Sequence, residues 1–241
     1  MGKFFDLHSH MLCRVDDGAN SEQEMYEMLD RSYADGVRGL CLTPHFSPAM
    51  FGDTRESSEK AYALLQAYAK EKYPDLELFI GNELGYYDGC QRALEAGICR
   101  TMAGSRYVLV DFPEMVEFIT LRSGLSLLQR SGHKVILAHA ERYHCLYRHI
   151  DWIRDFVDGG GIIQLNASSV NGGWGLGAKR QWKRLMREGL AHIISTDAHN
   201  LTNRPPELSV CMNYLKLHCS AEEISLLTWE NAWRVTRDMA I

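Results

Sequence analysis

The sequence predicts a single α/β barrel built from repeated β-α units. Short apolar runs alternate along its 241 residues with longer stretches of helical period, which is typical of a parallel sheet covered by helices. The length suits a barrel formed as one domain, and no repeat, low-complexity tract or proline-rich linker interrupts it. Six of the seven expected strands also end on a histidine or a carboxylate. We therefore expect one α/β domain over residues 1–241.

Seven short apolar segments are the predicted strands. In chain order they cover Phe4 to Leu7, Gly39 to Thr43, Glu77 to Gly81, Tyr107 to Val110, Val135 to Ala138, Ile162 to Leu165 and His192 to Ser195. In a barrel of parallel strands the carboxyl ends meet on one face, where the active sites of this architecture lie. Residues that follow the strands are therefore the candidates for a functional site.

Helices are expected between these strands. The first begins at a predicted capping box, Ser21-Glu22-Gln23-Glu24, and apolar side chains follow it at helical spacing. A second box, Ser220-Ala221-Glu222-Glu223, is expected to open the last helix. The other predicted helices lie roughly at Glu56 to Lys72, Ile119 to Gln129, Ile150 to Val157 and Lys179 to Glu188.

Composition and charge narrow the class of protein. The formal net charge is −5, from 26 basic and 31 acidic residues, so the chain has no general attraction for nucleic-acid phosphates. No apolar run approaches the roughly 20 residues that span a bilayer, and the segment from Met1 to Asp6 becomes polar too early for a secretion signal. Seven scattered cysteines without a C-x-x-C pair indicate reduced thiols. We therefore expect a cytoplasmic protein that neither binds nucleic acid nor inserts into a membrane.

Nitrogen and oxygen ligands follow six of the predicted strands. The first strand leads into the segment Asp6-Leu7-His8-Ser9-His10, where the strand period of two points His8 and His10 to the same side. The last strand leads into Asp197 and His199. The residues that follow the strands between them are His45, Glu83, Asp111 and His139. Because all are nitrogen or oxygen donors, they predict a cluster of ions such as Mn, Zn, Fe or Mg.

Two other chemistries lack their sequence patterns. The glycines of segment 171–177 do not have G-x-G-x-x-G spacing, so we expect a mobile loop near the site rather than a dinucleotide cradle. None of the seven cysteines has an arginine six positions later, which a cysteine-based tyrosine phosphatase requires. The histidines expected to lie outside the site are His133, His144, His149, His192 and His218.

The strand-end residues resemble the polymerase and histidinol phosphatase (PHP) family, whose barrel opens on an Asp-x-His-x-His motif, as Asp6, His8 and His10 do here. Within that family the chain is most similar to the bacterial tyrosine-protein phosphatases of capsular and exopolysaccharide synthesis. The resemblance covers nearly the whole chain, and the segments that carry it are Asp6 to His10, Val15 to Gly18, Thr43 to His45, Gly81 to Glu83, Ser105 to Phe112, His139 to Tyr143, Ser195 to Asn200 and Arg204 to Pro206. It implies a distorted (β/α)7 TIM-like barrel of the PHP type.

The resemblance also implies three divalent ions, with Mn²⁺ expected and Fe, Zn or Mg as alternatives. The implied ligand sets, in which Glu83 bridges, are His8, His10, Glu83 and Asp197 for one ion, Glu83, Asp111 and His139 for a second, and Asp17, His45 and His199 for a third. Asp16 is the alternative to Asp17. Two features depart from the family pattern: Asp111 stands where glutamate is common, and the loop from Phe46 to Phe51 lacks the basic residues of some relatives.

A hydrolytic mechanism follows from such a cluster. Two nearby ions lower the pKa of a bridging water from ~16 toward ~7, which provides a metal-bridging hydroxide for attack on phosphorus. Arg142, three residues after His139, and Arg204, five after His199, are expected to bind the phosphoryl oxygens. We therefore expect a phosphomonoesterase, which the resemblance narrows to a phosphatase acting on phosphotyrosine in the tail of a bacterial tyrosine kinase of capsular or exopolysaccharide synthesis. The alternatives are a phosphatase for histidinol phosphate or another small molecule, a phosphodiesterase, and a non-catalytic metal-binding module.

Overall fold

Parallel strands form two sheets that curl around a shared interior. This computed structural model describes residues 3–241; Met1 and Gly2, which belong to the expected domain and to the N-terminal segment, lie outside the described residues. One sheet contains β1 (Phe4–Ser9), β2 (Val37–Leu42) and β4 (Glu77–Ile80), in that order. The other contains, in order, β3 (His45–Phe46), β5 (Glu83–Gly85), β6 (Tyr107–Asp111), β7 (Lys134–Leu137), β8 (Ile162–Asn166) and β9 (Ile193–Ser195). Every strand pairing in these two sheets is parallel.

The two sheets are linked where one strand runs into the next. Two residues, 43–44, separate β2 from β3, and two residues, 81–82, separate β4 from β5. At the other side, Ser9 forms a parallel bridge with Ala198, and the His10 amide donates to the Ala198 carbonyl at 2.8 Å. The end of β1 therefore lies beside the segment that follows β9.

Alternate strand residues divide the core into two layers. Phe5, Leu7 and Leu109 belong to the cluster inside the curled sheets, whereas Phe4 and Val108 pack in the cluster between the sheets and the helices. Successive side chains of a strand point to opposite faces, so strands buried on both faces are continuous apolar runs. The polar residues of these segments therefore lie mainly at the strand ends.

Helices cover the outer face of the sheets. Those described within residues 3–241 are α1 (Glu22–Asp35), α2 (Pro48–Phe51), α3 (Arg55–Lys72), α4 (Cys90–Glu95), α5 (Phe118–Arg130), α6 (Ile150–Asp158), α7 (Gly175–Arg187), α8 (Met212–His218), α9 (Ala221–Ser225) and α10 (Asn231–Val235). Among these described helices none has the length and apolar character needed to cross a membrane. All seven cysteines lie in the described part of the chain and are free thiols.

The seven predicted strands coincide with observed strands, and their ends differ by no more than two residues. The short strands β3 and β5 were not predicted. Pro44 has no amide hydrogen to donate, so β2 and β3 are separate strands although the chain continues in the same direction. Helix α7 begins four residues before the predicted Lys179, so part of the glycine-rich segment is helical.

The two predicted capping boxes differ in the structure. The Ser21 hydroxyl accepts a hydrogen bond from the Glu24 amide, but the Glu24 carboxylate accepts from the amide of Asn20 instead of Ser21. Only half of this box is therefore present. The box between Ser220 and Glu223 is complete, but the single helix predicted after it is divided by a π-helical turn between α9 and α10.

Candidate metal centre

The predicted ligands of six strand ends meet around the buried carboxylate of Glu83. One Glu83 oxygen, Oε1, lies 3.0 Å from His139 Nε2 and 3.3 Å from His8 Nε2. The other oxygen, Oε2, lies 2.9 Å from His45 Nδ1 and 3.3 Å from His10 Nε2. Four imidazoles from three strand ends therefore contact this one carboxylate.

The nine predicted ligands fall into overlapping groups. Three groups have ligand atoms within 4.8 Å of one another: His10, Asp17, His45 and His199; His8, His10 and Asp197; and His45, Glu83 and Asp111. His139 joins the third group, because its Nε2 lies 3.5 Å from Asp111 Oδ1. These groups differ from the expected ligand sets in two ways. His10 also lies beside Asp17 and His199, and His45 also lies beside Glu83.

Two facing imidazole nitrogens show that this geometry fits a cation. His8 Nε2 and His10 Nε2 are 3.1 Å apart, and Asp197 Oδ1 lies within 3.5 Å of both. The Nδ1 atoms already face acceptors, the Gln164 Oε1 at 3.2 Å and the Asp16 Oδ2 at 2.7 Å. With protons on Nδ1, both Nε2 atoms present lone pairs to each other and to a carboxylate. A proton on one Nε2 atom or a metal ion between the two makes that arrangement favourable.

Asp16 and Asp17 occupy different positions relative to the imidazoles. Asp17 Oδ1 lies 3.4 Å from Nε2 of both His45 and His199. Asp16 instead uses Oδ2 to accept from the His45 amide and to pair with His10 Nδ1, and Oδ1 to accept from the Gly18 amide. Asp16 therefore orients the loop and the His10 ring, while Asp17 faces the two rings directly.

The ionisation of the site reflects the density of its charges. Although burial opposes protonation, the Glu83 carboxylate raises the pKa of His8 to about 9 and that of His45 to about 11. The His199 and His45 rings hold the pKa of Asp17 well below its usual range. Burial, together with the neighbouring charge of His10, lowers the pKa of His199 to about 4. The Asp17 carboxylate is thus ionised and can bind a cation, and metal binding at this site would release protons from the imidazoles.

Two of the ligands have an unusual backbone conformation. His139 follows β7 with φ of 31°, and Asp197 follows β9 with φ of 54°. Residues other than glycine seldom adopt positive φ, and such strain is concentrated at functional sites. The conformation places both side chains at the strand-end rim, where they contact Glu83 and His8 respectively.

Strand β8 supplies no predicted ligand, but it supports three of them. Gln164 Oε1 accepts from the His139 amide at 2.8 Å and lies 3.2 Å from His8 Nδ1. The Gln164 amide donates to Asn166 Oδ1, and Asn166 in turn donates to Asp197 Oδ2 at 2.9 Å. Neither residue was predicted, because both act through hydrogen bonds to residues that are distant in sequence.

The two predicted arginines lie together at the rim. Arg204 Nη2 and Arg142 Nη1 donate to the same oxygen, Asp197 Oδ2, at 2.7 and 3.3 Å. The ring of Trp174 lies 3.7 Å from the Arg142 guanidinium carbon and 5.2 Å from that of Arg204. Trp174 was not predicted as a site residue, although it belongs to the glycine-rich segment that was expected near the site. It holds both guanidinium groups against one face of the cluster.

One cavity of about 580 Å³ is lined by six of the nine predicted ligands and by an aromatic wall. The wall is formed mainly by Phe51, Tyr86, Tyr87, Phe112 and Pro113. The segment 47–51, which lacks basic residues, lines the cavity as well. The five histidines expected outside the site are not among the residues that line this cavity.

Asp6, the first residue of the Asp-x-His-x-His motif, lies behind the ligands. It is buried, and its carboxylate accepts hydrogen bonds from the amide and the hydroxyl of Thr196. Burial raises the pKa of Asp6 to about 6. Asp6 thereby ties β1 to the segment that carries Asp197.

Comparison with known proteins yields one family. The profile of the family described as capsular polysaccharide synthesis, CpsB/CapC, matches residues 4–237. The tyrosine-protein phosphatase CpsB of Streptococcus pneumoniae is 29% identical over 241 residues, which covers 98% of this chain and 99% of that protein.

Solved structures share the architecture. A structure from work on YwqE of Bacillus subtilis and CpsB of S. pneumoniae, described as unique metal-dependent tyrosine phosphatases, aligns with a TM-score of 0.82 at 26% identity and covers 100% of this chain and 96% of that one. The phosphotriesterase homology protein of Escherichia coli, solved with phosphate in its active site, aligns with a TM-score of 0.59 at 14% identity over 95% of this chain and 97% of its own. The second likeness concerns the fold alone.

Proposed function

The chain belongs to the CpsB/CapC family of capsular polysaccharide synthesis, and we propose that it is a metal-dependent tyrosine-protein phosphatase. One observation carries the proposal: a single cavity joins nitrogen and oxygen ligands, two arginines and an aromatic wall. The ligands would hold the metal ions that activate water, the arginines would bind the phosphoryl group, and the wall would contact an aryl leaving group. The relatives named as tyrosine-protein phosphatases support this combination.

Three divalent ions, Mn²⁺ in the first place, are proposed to bind at the ligand cluster. The residues that would hold them are His8, His10, Asp17, His45, Glu83, Asp111, His139, Asp197 and His199. When bound, such ions act as Lewis acids and make water nucleophilic at neutral pH. Each carboxylate oxygen of Glu83 contacts two imidazoles, and Glu83 is the proposed bridging ligand.

Arg142 and Arg204 are proposed to bind the phosphoryl oxygens. One Nη atom of each arginine donates to Asp197 Oδ2. The buried Nε atoms of both arginines have no hydrogen-bond partner within residues 3–241. Guanidinium groups keep their charge and match phosphoryl oxygens in pairs, so donors that remain free can stabilise the charge of the transition state. Trp174 keeps both groups in place by stacking.

The aromatic wall suits a phenyl phosphate. Phe51 stacks on His45 with ring centroids 5.4 Å apart, and Tyr86 stacks on Phe112 at 4.8 Å, so apolar rings stand directly beside the cluster. A phenol leaves with a pKa near 10, well below that of an alkyl alcohol, and needs less help from a general acid. This property fits a site that is rich in ligands and poor in free proton donors.

The architecture is proposed to be a distorted (β/α)7 barrel in one domain. If β2 with β3, and β4 with β5, are each counted as one interrupted strand, the nine strands become seven around the interior. The contact of β1 with the end of β9 supports closure of the ring. The proposed substrate is phosphotyrosine in the tail of a tyrosine kinase of capsule or exopolysaccharide synthesis, and the proposed compartment is the cytoplasm.

A panel of phosphoesters tests the function. Purified protein loaded with Mn²⁺ is assayed on a phosphotyrosine peptide, histidinol phosphate and a bis-aryl phosphodiester, while bound metal is measured by mass spectrometry. The phosphotyrosine peptide is expected to have the highest kcat/KM, by orders of magnitude. A preference for histidinol phosphate would make the chain a small-molecule phosphatase, and a preference for the diester would make it a phosphodiesterase. Bound metal without any turnover would indicate a non-catalytic metal-binding module.

A further inference from the structure

A cationic groove runs along α7 outside the catalytic cavity. This α7 groove has a volume of about 750 Å³. The residues that define it are Tyr147, Arg180, Lys183, Arg184, Arg187 and Tyr214. No acidic residue lines it, although acidic residues outnumber basic ones in the chain as a whole.

The charges of this groove are not neutralised by the protein. None of its four cationic side chains forms an ion pair within the described residues, 3–241, whereas Arg31, Arg106, Arg142 and Arg237 are examples of arginines that do. The adjacent carboxylate of Glu188 is bound to Arg154. Four uncompensated positive charges on one helix face create a local positive potential on an acidic protein.

The groove also holds donors that lack acceptors. Gln181 is only 3% exposed and lines the groove, and its Nε2 has no hydrogen-bond partner in the described part of the chain. The buried hydroxyl of Tyr147 is likewise without a partner there. Buried polar groups are nearly always hydrogen-bonded, so two unpartnered groups beside four cations indicate a site for an acceptor-rich anion.

The α7 groove begins about one helical turn after Trp174, the residue that stacks on the two arginines of the site. Trp174, which stacks on Arg142 and Arg204, immediately precedes α7, and Gly177 already lines the groove. At a helical rise of 1.5 Å per residue, the stretch from Gly177 to Arg187 extends for about 15 Å. An extended peptide of about five residues has this length.

We propose that the α7 groove binds an acidic segment of the protein substrate next to its phosphotyrosine; this inference rests on the proposed function. Carboxylates of such a segment would pair with the arginines and accept from Gln181, while its aliphatic stems would pack on Tyr147 and Tyr214. A groove only about 15 Å long favours a peptide over a nucleic-acid strand, because the net charge of −5 gives the chain no general attraction for a phosphate backbone.

Matched charge reversals test the inference. Arg180→Glu/Arg187→Glu changes two exposed arginines of the groove, and the control Arg122→Glu/Arg130→Glu makes the same change in charge on two exposed arginines of α5. The groove variant is expected to lose about tenfold or more in kcat/KM on a phosphotyrosine peptide with acidic flanking residues, mainly through KM. Its kcat/KM on a neutral-flank peptide and on p-nitrophenyl phosphate is expected to match wild type. Equal losses in the two double variants, or equal losses on all substrates, would overturn the proposal.

Direct binding separates this inference from the proposed function. Fluorescence anisotropy with the unphosphorylated acidic peptide is expected to show binding by wild type and by the α5 control, loss of binding in the groove variant, and weakening with added salt. Binding without turnover of any phosphoester would refute the phosphatase and leave the groove as a peptide site. Turnover without such binding would refute the groove. The groove proposal would also be refuted if the groove bound single-stranded DNA or phosphatidylglycerol vesicles but not the peptide.

Discussion

His8 and His10 present their Nε2 atoms to each other across 3.1 Å, in a region where both rings are fully buried. Gln164 and Asp16 hold the opposite nitrogens of the two rings, and Asp197 approaches the pair from the side. The fold thus fixes two ring nitrogens in contact that they would avoid without a proton or a metal ion between them, and a metal ion would take the place of the proton. Metal binding is therefore expected to stabilise the folded protein by mass action, besides its role in turnover.

Replacing a ligand should remove metal and activity together. His8→Ala and His139→Ala are each expected to lower the bound metal per chain and to abolish turnover of an aryl phosphate, since both rings contact Glu83 at the centre of the cluster. Bound metal is measured by mass spectrometry after exhaustive dialysis. The control His144→Ala removes an exposed ring outside the cavity and should leave both quantities unchanged. Full activity in either ligand variant would contradict the proposed mechanism.

The arginines should affect turnover more than metal content. Arg142→Lys and Arg204→Lys keep a positive charge but lose the paired donors, so each is expected to lower kcat on an aryl phosphate by about 100-fold, the usual effect of one transition-state donor. Bound metal should remain at the wild-type value. A parallel loss of metal would instead mean that the arginines serve mainly to position Asp197, to which both are bonded.

The fold was largely predictable because the strands are buried on both faces. Continuous apolar runs such as those around Leu109 and Ile136 identify the strands without reference to any partner. The breaks were not predictable in the same way. Pro44 lies in the two-residue break between β2 and β3, and α7 begins at Gly175 although glycine has a low helical propensity.

The site was predictable where chemistry and position coincide. Histidines and carboxylates at strand ends carry their own signal, so the nine ligand candidates could be named from the sequence. In the structure they contact one another, and six of them line the cavity. Gln164 and Trp174 carry no such signal. Gln164 contacts His8 across 156 positions of sequence, and Trp174 contacts Arg204 because the segment that joins β8 to α7 lies beside the segment that follows β9. Such residues become visible only when the fold is known.

Gln164 should tune metal affinity without binding metal. Gln164→Met keeps the volume but leaves the His139 amide and His8 Nδ1 without their acceptor. The expected result is metal affinity weaker by about 10-fold to 100-fold, the usual effect of removing a group that orients a ligand. Isothermal titration calorimetry with Mn²⁺ measures this affinity, and Gln129→Met on α5 is the control. An unchanged Kd would show that the His8 ring is held by its other contacts.

His192 should make stability depend on pH. Its Nδ1 accepts from the Ile163 amide, and burial lowers its pKa below the ordinary value of about 6.5. The folded protein therefore favours the neutral ring. The contribution of this ring to the free energy of unfolding is complete above pH ~6.5 and is lost as the pH falls toward the lower pKa of the folded state. Denaturant unfolding of wild type and His192→Gln, with EDTA throughout, measures this. The free energy of unfolding should fall less steeply in the variant between pH ~6.5 and ~5. Parallel curves would mean that His192 titrates normally.

Gly124 should link the packing of α5 to the shape of the cavity. A Cβ added there would lie 2.6 Å from the ring of Tyr86, which lines the cavity and stacks on Phe112. Gly124→Ala is therefore expected to displace Tyr86 and to raise KM for an aryl phosphate. The overpacking should lower the free energy of unfolding by about 1–3 kcal/mol, offset in part by about 1 kcal/mol of better helix propensity.

Gly161→Ala is the matched control for this last prediction. Its Cβ would lie 2.4 Å from the ring of Phe156, in α6 and away from the cavity lining. Both variants should be destabilised in urea unfolding, because both force an aromatic ring to move. Only Gly124→Ala should change KM, since only Tyr86 forms part of the cavity. An equal KM for the two variants would mean that the position of Tyr86 does not determine how the aryl group is bound.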